Sequence, residues 1–296
     1  MKKLLFASAA FVLSAGTSVL AADLPVYKKA PVAPPVFSWT GFYLGGNAGY
    51  SWGRASTDLT DTVTTTATIT TLAGTPVASA TVTTNSFGND RARLNGALGG
   101  FQAGYNWQFD RYVAGFEGDI QATGQRGDLT ICPVTAGAAP VPCPGATGTL
   151  FGTASYRLPW FGTLRGRVGV TFDRILLYAT GGLAVGEVKA DGTVGGAALI
   201  PLAAGSVSTT RAGWVFGGGI EGAIDRNWSI KAEYLHMDFG SLDQSISASG
   251  VFTAVLGDFR TSLSQSLTSA FHTRVTDDVF RIGVNYRFAP AVVAKY

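Results

Sequence analysis

Charge is scarce in this chain. Of its 296 residues only 14% are charged, where an ordinary globular domain carries roughly a quarter. Aromatic residues stand at 11%, so the scarcity does not mark a disordered polar chain. No apolar run beyond the N-terminus reaches ~18 residues, which excludes a membrane-spanning helix there. Cysteine and histidine are also rare, at two each. Cys132 and Cys143, in CPVTAGAAPVPC, have no neighbouring His or Cys and make a poor zinc site. In an exported chain, an even pair closing a short loop reads as a disulfide, and no metal site is expected.

The start of the chain, MKKLLFASAAFVLSAGTSVLAADLP, has a basic tip at Lys2 and Lys3 and an apolar stretch from Leu4 to Ala15. Val19-Leu20-Ala21 resembles the small-residue site cut by signal peptidase. Residues 1–21 therefore read as a cleaved signal peptide, and the chain as exported. Losing Lys2 and Lys3 takes the formal charge from +3 to +1, which gives no reason to expect a nucleic-acid partner. Residues 22–38 are rich in proline, which cannot donate to a sheet ladder, and read as an extended periplasmic linker.

From Trp39 onward the chain alternates with period two. In WTGFYLGGNAGYSWG, Phe42, Leu44, Ala48, Tyr50 and Trp52 share one face; Gly41, Tyr43, Asn47 and Ser51 share the other. In VFRIGVNYRF, Phe280, Ile282, Val284, Tyr286 and Phe288 oppose Arg281, Gly283, Asn285 and Arg287. Eight such runs are predicted, at 39–53, 92–108, 112–126, 156–172, 175–189, 209–224, 228–240 and 273–288. Three connections are short turns carrying Asp-Arg, at Asp110, Asp173 and Asp225. The other four are long and polar. Short turns at one end and long loops at the other are the pattern of a barrel in the outer membrane, where crossing takes ~9–11 residues per strand. The expected fold is all-β, an eight-stranded antiparallel up-and-down transmembrane barrel over 39–288, with a tail at 289–296. Trp39, Tyr105, Trp107, Tyr112, Trp160, Trp228 and Phe288 lie near run ends, where interfacial girdles belong.

FSWTGFYLGGNAGYSWG, QAGYNWQ, GFEGDIQ, YATGGLA, NWSIKAEYLH and FRIGVNYRF resemble the small outer-membrane barrel, or porin-family, proteins of alphaproteobacteria. That family includes outer-membrane immunogenic and haemin-binding proteins. The resemblance covers the signal, the linker and all eight runs but not the long loops. It implies an outer-membrane location and lipid as surroundings. It also implies recognition by the barrel-assembly machinery through Arg281, Gly283, Tyr286 and Phe288 of the last strand. Such strands usually end the chain at the aromatic residue; here APAVVAKY comes after Phe288.

Inward positions carry Glu117, Asp119, Glu221 and Glu233 against Arg165, Arg167, Lys231, Arg281 and Arg287. Unpaired charges in a narrow lumen are costly, so these are expected to pair. Counting from the turns puts Glu117 near Arg167, Asp119 near Arg165, and Glu221 near Lys231. Two readings stand: an ion-selective constriction, or a polar plug, which an eight-stranded interior favours because side chains fill it. Gly217 to Gly222 matches a dinucleotide motif as a string, but a turn comes next instead of a helix. The two histidines, His236 and His272, sit about eight strand positions apart, on the order of 25 Å, too far to clamp one haem iron jointly. A single ligand at His272 stays open. His236 has Asp238 nearby but faces the lipid side with Tyr234, and no catalytic set assembles, so no enzyme is expected. The Thr- and Ala-rich stretch at 55–91 alternates on both sides of AGTP, as a hairpin continuing above the membrane would. Its low charge suits an adhesive or antigenic surface for host or environmental ligands, or an inert polar cover. The expected role is structural and surface-interactive with at most a narrow pore; the alternatives are a porin for small hydrophilic solutes and a haem receptor.

Overall fold

The computed structural model describes residues 37–135, 151–196 and 200–288. Residues 1–36, and with them the signal peptide and most of the linker, lie outside the described residues, as do Cys143 and the 289–296 tail.

Eight long strands form the wall: β1 Gly41–Thr71, β2 Pro76–Phe109, β3 Tyr112–Ile131, β4 Phe151–Phe172, β5 Ile175–Gly196, β6 Ile200–Ala223, β7 Trp228–Leu256 and β8 Phe259–Phe288. Each is antiparallel to the next, and β1 pairs with both β2 and β8, so the sheet closes on itself. Closure leaves no edge to protect and satisfies the backbone within lipid. A two-residue stretch, Val134–Thr135, adds to β2 at Ser86 and Phe87.

The turns at one end are of two kinds. Phe109 pairs with Tyr112 and Phe172 with Ile175, leaving two-residue loops whose Asp110 and Asp173 adopt φ of 55° and 54°. Asp tolerates this left-handed conformation better than most residues. The third is longer. There the Asp225 carboxylate accepts hydrogen bonds from the N–H groups of Asn227 and Trp228, both at 2.7 Å. Those two backbone donors hold the Asp225 carboxyl below its usual range.

At the other end, three of the four expected long loops are largely strand. β5 runs to Gly196 and β6 starts at Ile200. β1 runs to Thr71 and β2 starts at Pro76, so only Leu72 to Thr75 join them. β7 and β8 extend to Leu256 and Phe259, joined by Gly257 and Asp258 with Gly257 at φ 59°. The expected hairpin over 55–91 is present in full, with Thr66 and Thr81 hydroxyls 3.0 Å apart across it. Strand continuation past 240 and before 273 had no counterpart in the expected runs. The cause is a reversal of phase. On β1 the apolar residues face out up to Trp52; beyond it Ala55 and Leu59 face in, while Arg54 and Asp58 face out. In β4 and β7, irregularities between Arg157 and Phe161 and between Asp238 and Ser241 also shift the frame. Phe161 is buried on one side of the first, and Leu158 and Tyr156 on the other, so inward positions change from odd to even.

The interior has three levels. At the turn end Phe37 and Trp39 tuck into the mouth with Val113, Leu176 and Tyr178. Trp39 is 1% exposed and so is not a girdle residue, as its position near the start of a run had suggested. It precedes the first strand, and its N–H donates to Gln108 Oε1 at 2.7 Å, which holds Trp39 inward. Trp107, Tyr112, Trp228 and Phe288 do face outward at this end. The charged residues occupy the middle. Above them an apolar core fills the outer half, with Leu59, Leu94, Tyr156, Phe161, Leu235, Phe239 and Phe271 among its members.

Candidate functional site

Inward faces of five strands bring the charges together. Glu117 and Asp119 come from β3, Arg165 and Arg167 from β4, Glu221 from β6, Lys231 and Glu233 from β7, and Arg281 from β8. All are buried. Arg165 is the hub, with its guanidinium 2.5 Å from Glu117, 2.8 Å from Asp119 and 3.0 Å from Glu233. Arg281 bridges Glu233 at 2.6 Å and Asp119 at 2.9 Å. Lys231 donates to both oxygens of Glu117 at 2.8 Å, and Arg167 pairs with Glu221 at 2.8 Å. Four carboxylates thus face four cations, and the cluster is formally neutral.

Two expectations change. Glu117 faces Arg165 and Asp119 faces Thr163, two positions away from the register counted from the turns. No short turn joins β3 to β4, so barrel closure and shear set that register. Contacts with the expected partners persist diagonally: Asp119 with Arg165 at 2.8 Å, and Glu117 with Arg167 at 3.5 Å. Glu221 faces Lys231, as the Ala223–Trp228 turn dictates. Arg287 is not in the network. It sits lower, its guanidinium 4.5 Å from the Phe37 ring centroid and donating to the Arg226 carbonyl at 3.0 Å, and so belongs to the mouth.

Several members carry no charge and gave little signal in the sequence. Tyr43 donates to Glu117 at 2.7 Å and Tyr178 to Glu233 at 3.0 Å. Arg167 lies 4.5 Å from the Tyr178 ring centroid, a cation–π contact. Ser229 and Asn285 donate to Glu221 at 2.6 and 2.8 Å. Glycines make room for the rings. A Cβ at Gly104 would collide with the Tyr43 hydroxyl, and one at Gly219 would lie within 2.7 Å of that of Tyr178. Gly217 to Gly222 is therefore part of β6, and Gly219 there serves packing. The one available hint was a tyrosine among small residues on an otherwise polar face.

The remaining candidates are dispersed. Gly283 lies in the wall beside Asn47 and Gln102, while Tyr286 packs on Trp228 at 5.1 Å and Phe288 stacks on Phe42 at 5.7 Å. Cys132 is disulfide-bonded. His236 contacts Asp278 at 2.7 Å and His272 contacts Asp243 at 2.5 Å, both on the outer surface. Trp228 pairs with Tyr286, which sets His236 opposite Asp278 and leaves the two histidines about six positions apart, roughly 20 Å. That distance is shorter than counted from the turns and still prevents joint ligation of one iron. Among the described residues no group of three metal-ligating side chains converges.

A closed antiparallel barrel with an apolar outward band and a polar lumen is the architecture of an outer-membrane β-barrel protein. The chain matches the family described as outer membrane protein beta-barrel domain over residues 8–288, belongs to it, and resides in the outer membrane. It is 36% identical to the 31 kDa outer-membrane immunogenic protein of Brucella melitensis biotype 1, across 97% of this chain and 100% of that protein. It is 29% identical to the 22 kDa outer membrane protein of Rhizobium leguminosarum bv. viciae, across 76% and 75%. Among solved structures it resembles the outer membrane protein OprG from Pseudomonas aeruginosa, with a TM-score of 0.33, 12% identity, and coverage of 86% of this chain and 100% of that one. The Brucella and Rhizobium relatives are named for their place in the outer membrane or for immunogenicity.

Proposed function

We propose that this protein is a sealed barrel, a structural element of the outer membrane that displays an extended hairpin surface and does not catalyse a reaction. The observation that carries this is the filled lumen. A neutral ion-pair cluster with no carboxylate or cation to spare occupies the membrane half, and an apolar core lies above it. An ion passing through would have to displace buried pairs and then cross a dry layer, both costly. The long β1–β2 and β7–β8 hairpins suit contact with surface ligands, and Arg281, Gly283, Tyr286 and Phe288 suit recognition by the assembly machinery. Planar-bilayer recording of the purified protein tests the seal. The expected result is no discrete conductance; steps of constant size in the unaltered protein would establish a porin instead. Haem titration of the parent and of His272→Ala addresses the receptor reading, with no saturable binding expected in either.

A further inference from the structure

On the outward wall of β1, β2 and β3, cations gather. Arg54 pairs directly with Arg93 across the β1–β2 ladder, and Arg91 is the next outward residue on β2. Asn95 pairs with Arg126 of β3. All four arginines are exposed. Among the described residues none of them forms an ion pair. Arg54, Arg91 and Arg93 line a surface hollow of about 550 Å³ with Trp52, Asp90 and Asn95. Asp90 is the one carboxylate lining it, and it accepts a hydrogen bond from the Arg91 backbone N–H at 2.7 Å. Asp278 lies within the electrostatic reach of Arg54 but is held by the Tyr234 hydroxyl at 2.6 Å and the His236 ring at 2.7 Å.

Cations on the adjoining strands are paired. Arg157 of β4, directly opposite Arg126, bridges Asp191 at 2.6 Å, Lys189 of β5 bridges Glu187 at 3.3 Å, and Arg274 of β8 bridges Asp238 at 2.5 Å. Like charges set directly opposite on neighbouring strands repel, so the unpaired cluster on β1, β2 and β3 is unfavourable unless an anion covers it. Its height says which anion. Trp52 is the last apolar outward residue of β1, and Arg54 is the next outward position, about 7 Å further along the strand. The headgroup layer extends roughly 5–8 Å beyond the hydrocarbon. The guanidiniums therefore sit at headgroup height and face into the membrane plane. Arg is suited to phosphate through paired N–H donors.

We infer that Arg54, Arg91, Arg93 and Arg126 form a docking surface for the phosphate groups of an anionic glycolipid in the outer leaflet. The full-length protein, purified in zwitterionic detergent, is mixed with bisphosphorylated lipid A and retention is read by native mass spectrometry. The Arg54→Gln, Arg93→Gln, Arg126→Gln variant should retain lipid A roughly tenfold more weakly than the parent, a change of about 1.4 kcal/mol. Dephosphorylated lipid A should bind the parent no better than it binds the variant. Lys189→Gln, which alters an ion-paired cation on β5, should match the parent. Heat-modifiable migration checks that each barrel is folded, and Arg93→Gln alone repeats the test with a single exposed change. Equal retention by parent and variants, equal retention of the dephosphorylated lipid, or displacement of lipid A by millimolar inorganic phosphate would each overturn the assignment.

Discussion

On β1, Phe42, Leu44, Tyr50 and Trp52 point to lipid while Tyr43, Asn47 and Ser51 point inward; further along the same strand Leu59 points inward and Asp58 and Thr60 outward. The wall is continuous and its hydrogen-bonded ladder unbroken in kind, yet the buried face holds ions below and hydrocarbon above. The difference comes from the surrounding solvent. In lipid the outward side chains must be apolar, and polar groups collect inside, where they satisfy one another. In water the hydrophobic effect acts on the interior, and the same closed sheet packs like a soluble barrel.

The contrast can be broken at its two cores. Arg165→Ala takes one cation from Glu117, Asp119 and Glu233 and leaves the cluster one positive charge short, and removal of one partner from a buried ionic cluster costs about 3–5 kcal/mol. Urea unfolding in detergent micelles, followed by tryptophan fluorescence, measures this. The Arg165→Met, Glu117→Gln double variant should recover part of the loss; strict additivity would show that the groups do not act as a unit. In the outer half, Leu59→Ala should cost about 2–5 kcal/mol by cavity formation. Its effect should be local. Hydrogen exchange should quicken in the β1–β2 hairpin while amides around Glu117 stay protected, because the two cores are chemically separate.

A smaller effect sharpens the comparison through pH. Asp61 points into the outer half, and burial raises its carboxyl above the usual range, opposed by the neighbouring Ser269 hydroxyl. A raised folded value means that the native state binds the proton more tightly. The resulting stability is complete below about pH 4 and is lost as pH rises through the raised value. Asp61→Asn should remove that dependence and leave the variant more stable than the parent at neutral pH; a parent–variant difference flat with pH would contradict it. The smallest effect belongs to an ion pair on the outside. Arg157 and Asp191 are about as close as any pair in the lumen, but their side chains are 48% and 47% exposed. Asp191→Asn should change stability by only about 0–1 kcal/mol, and less in high salt.

Most of the membrane half was legible in the sequence, because lipid imposes a strict alternation there and Asp-Arg turns mark where strands reverse. The outer half was hidden by the same logic. Once the phase reversed past Trp52, and once irregularities shifted the frame near Leu158 and Gly240, a search for one continuous pattern stopped short. The Thr-rich alternation at 55–91 was readable, whereas the Ser-rich ladder between Ser241 and Thr273 carried fewer apolar markers.

The sequence by itself determined which face each charged residue of the membrane half would take, since a period of two leaves no other choice for Glu117, Arg165 or Arg281. It also determined the closed antiparallel wall, through the count of runs and turns. Only the tertiary structure decided that Glu117 meets Arg165 across the ladder and that Arg287 leaves the cluster for Phe37 and the Arg226 carbonyl. It likewise decided that Trp39 folds inward to close the mouth. Alternation specifies a face but not a register. Register between strands without a short turn is set when the sheet closes, and closure depends on every strand at once.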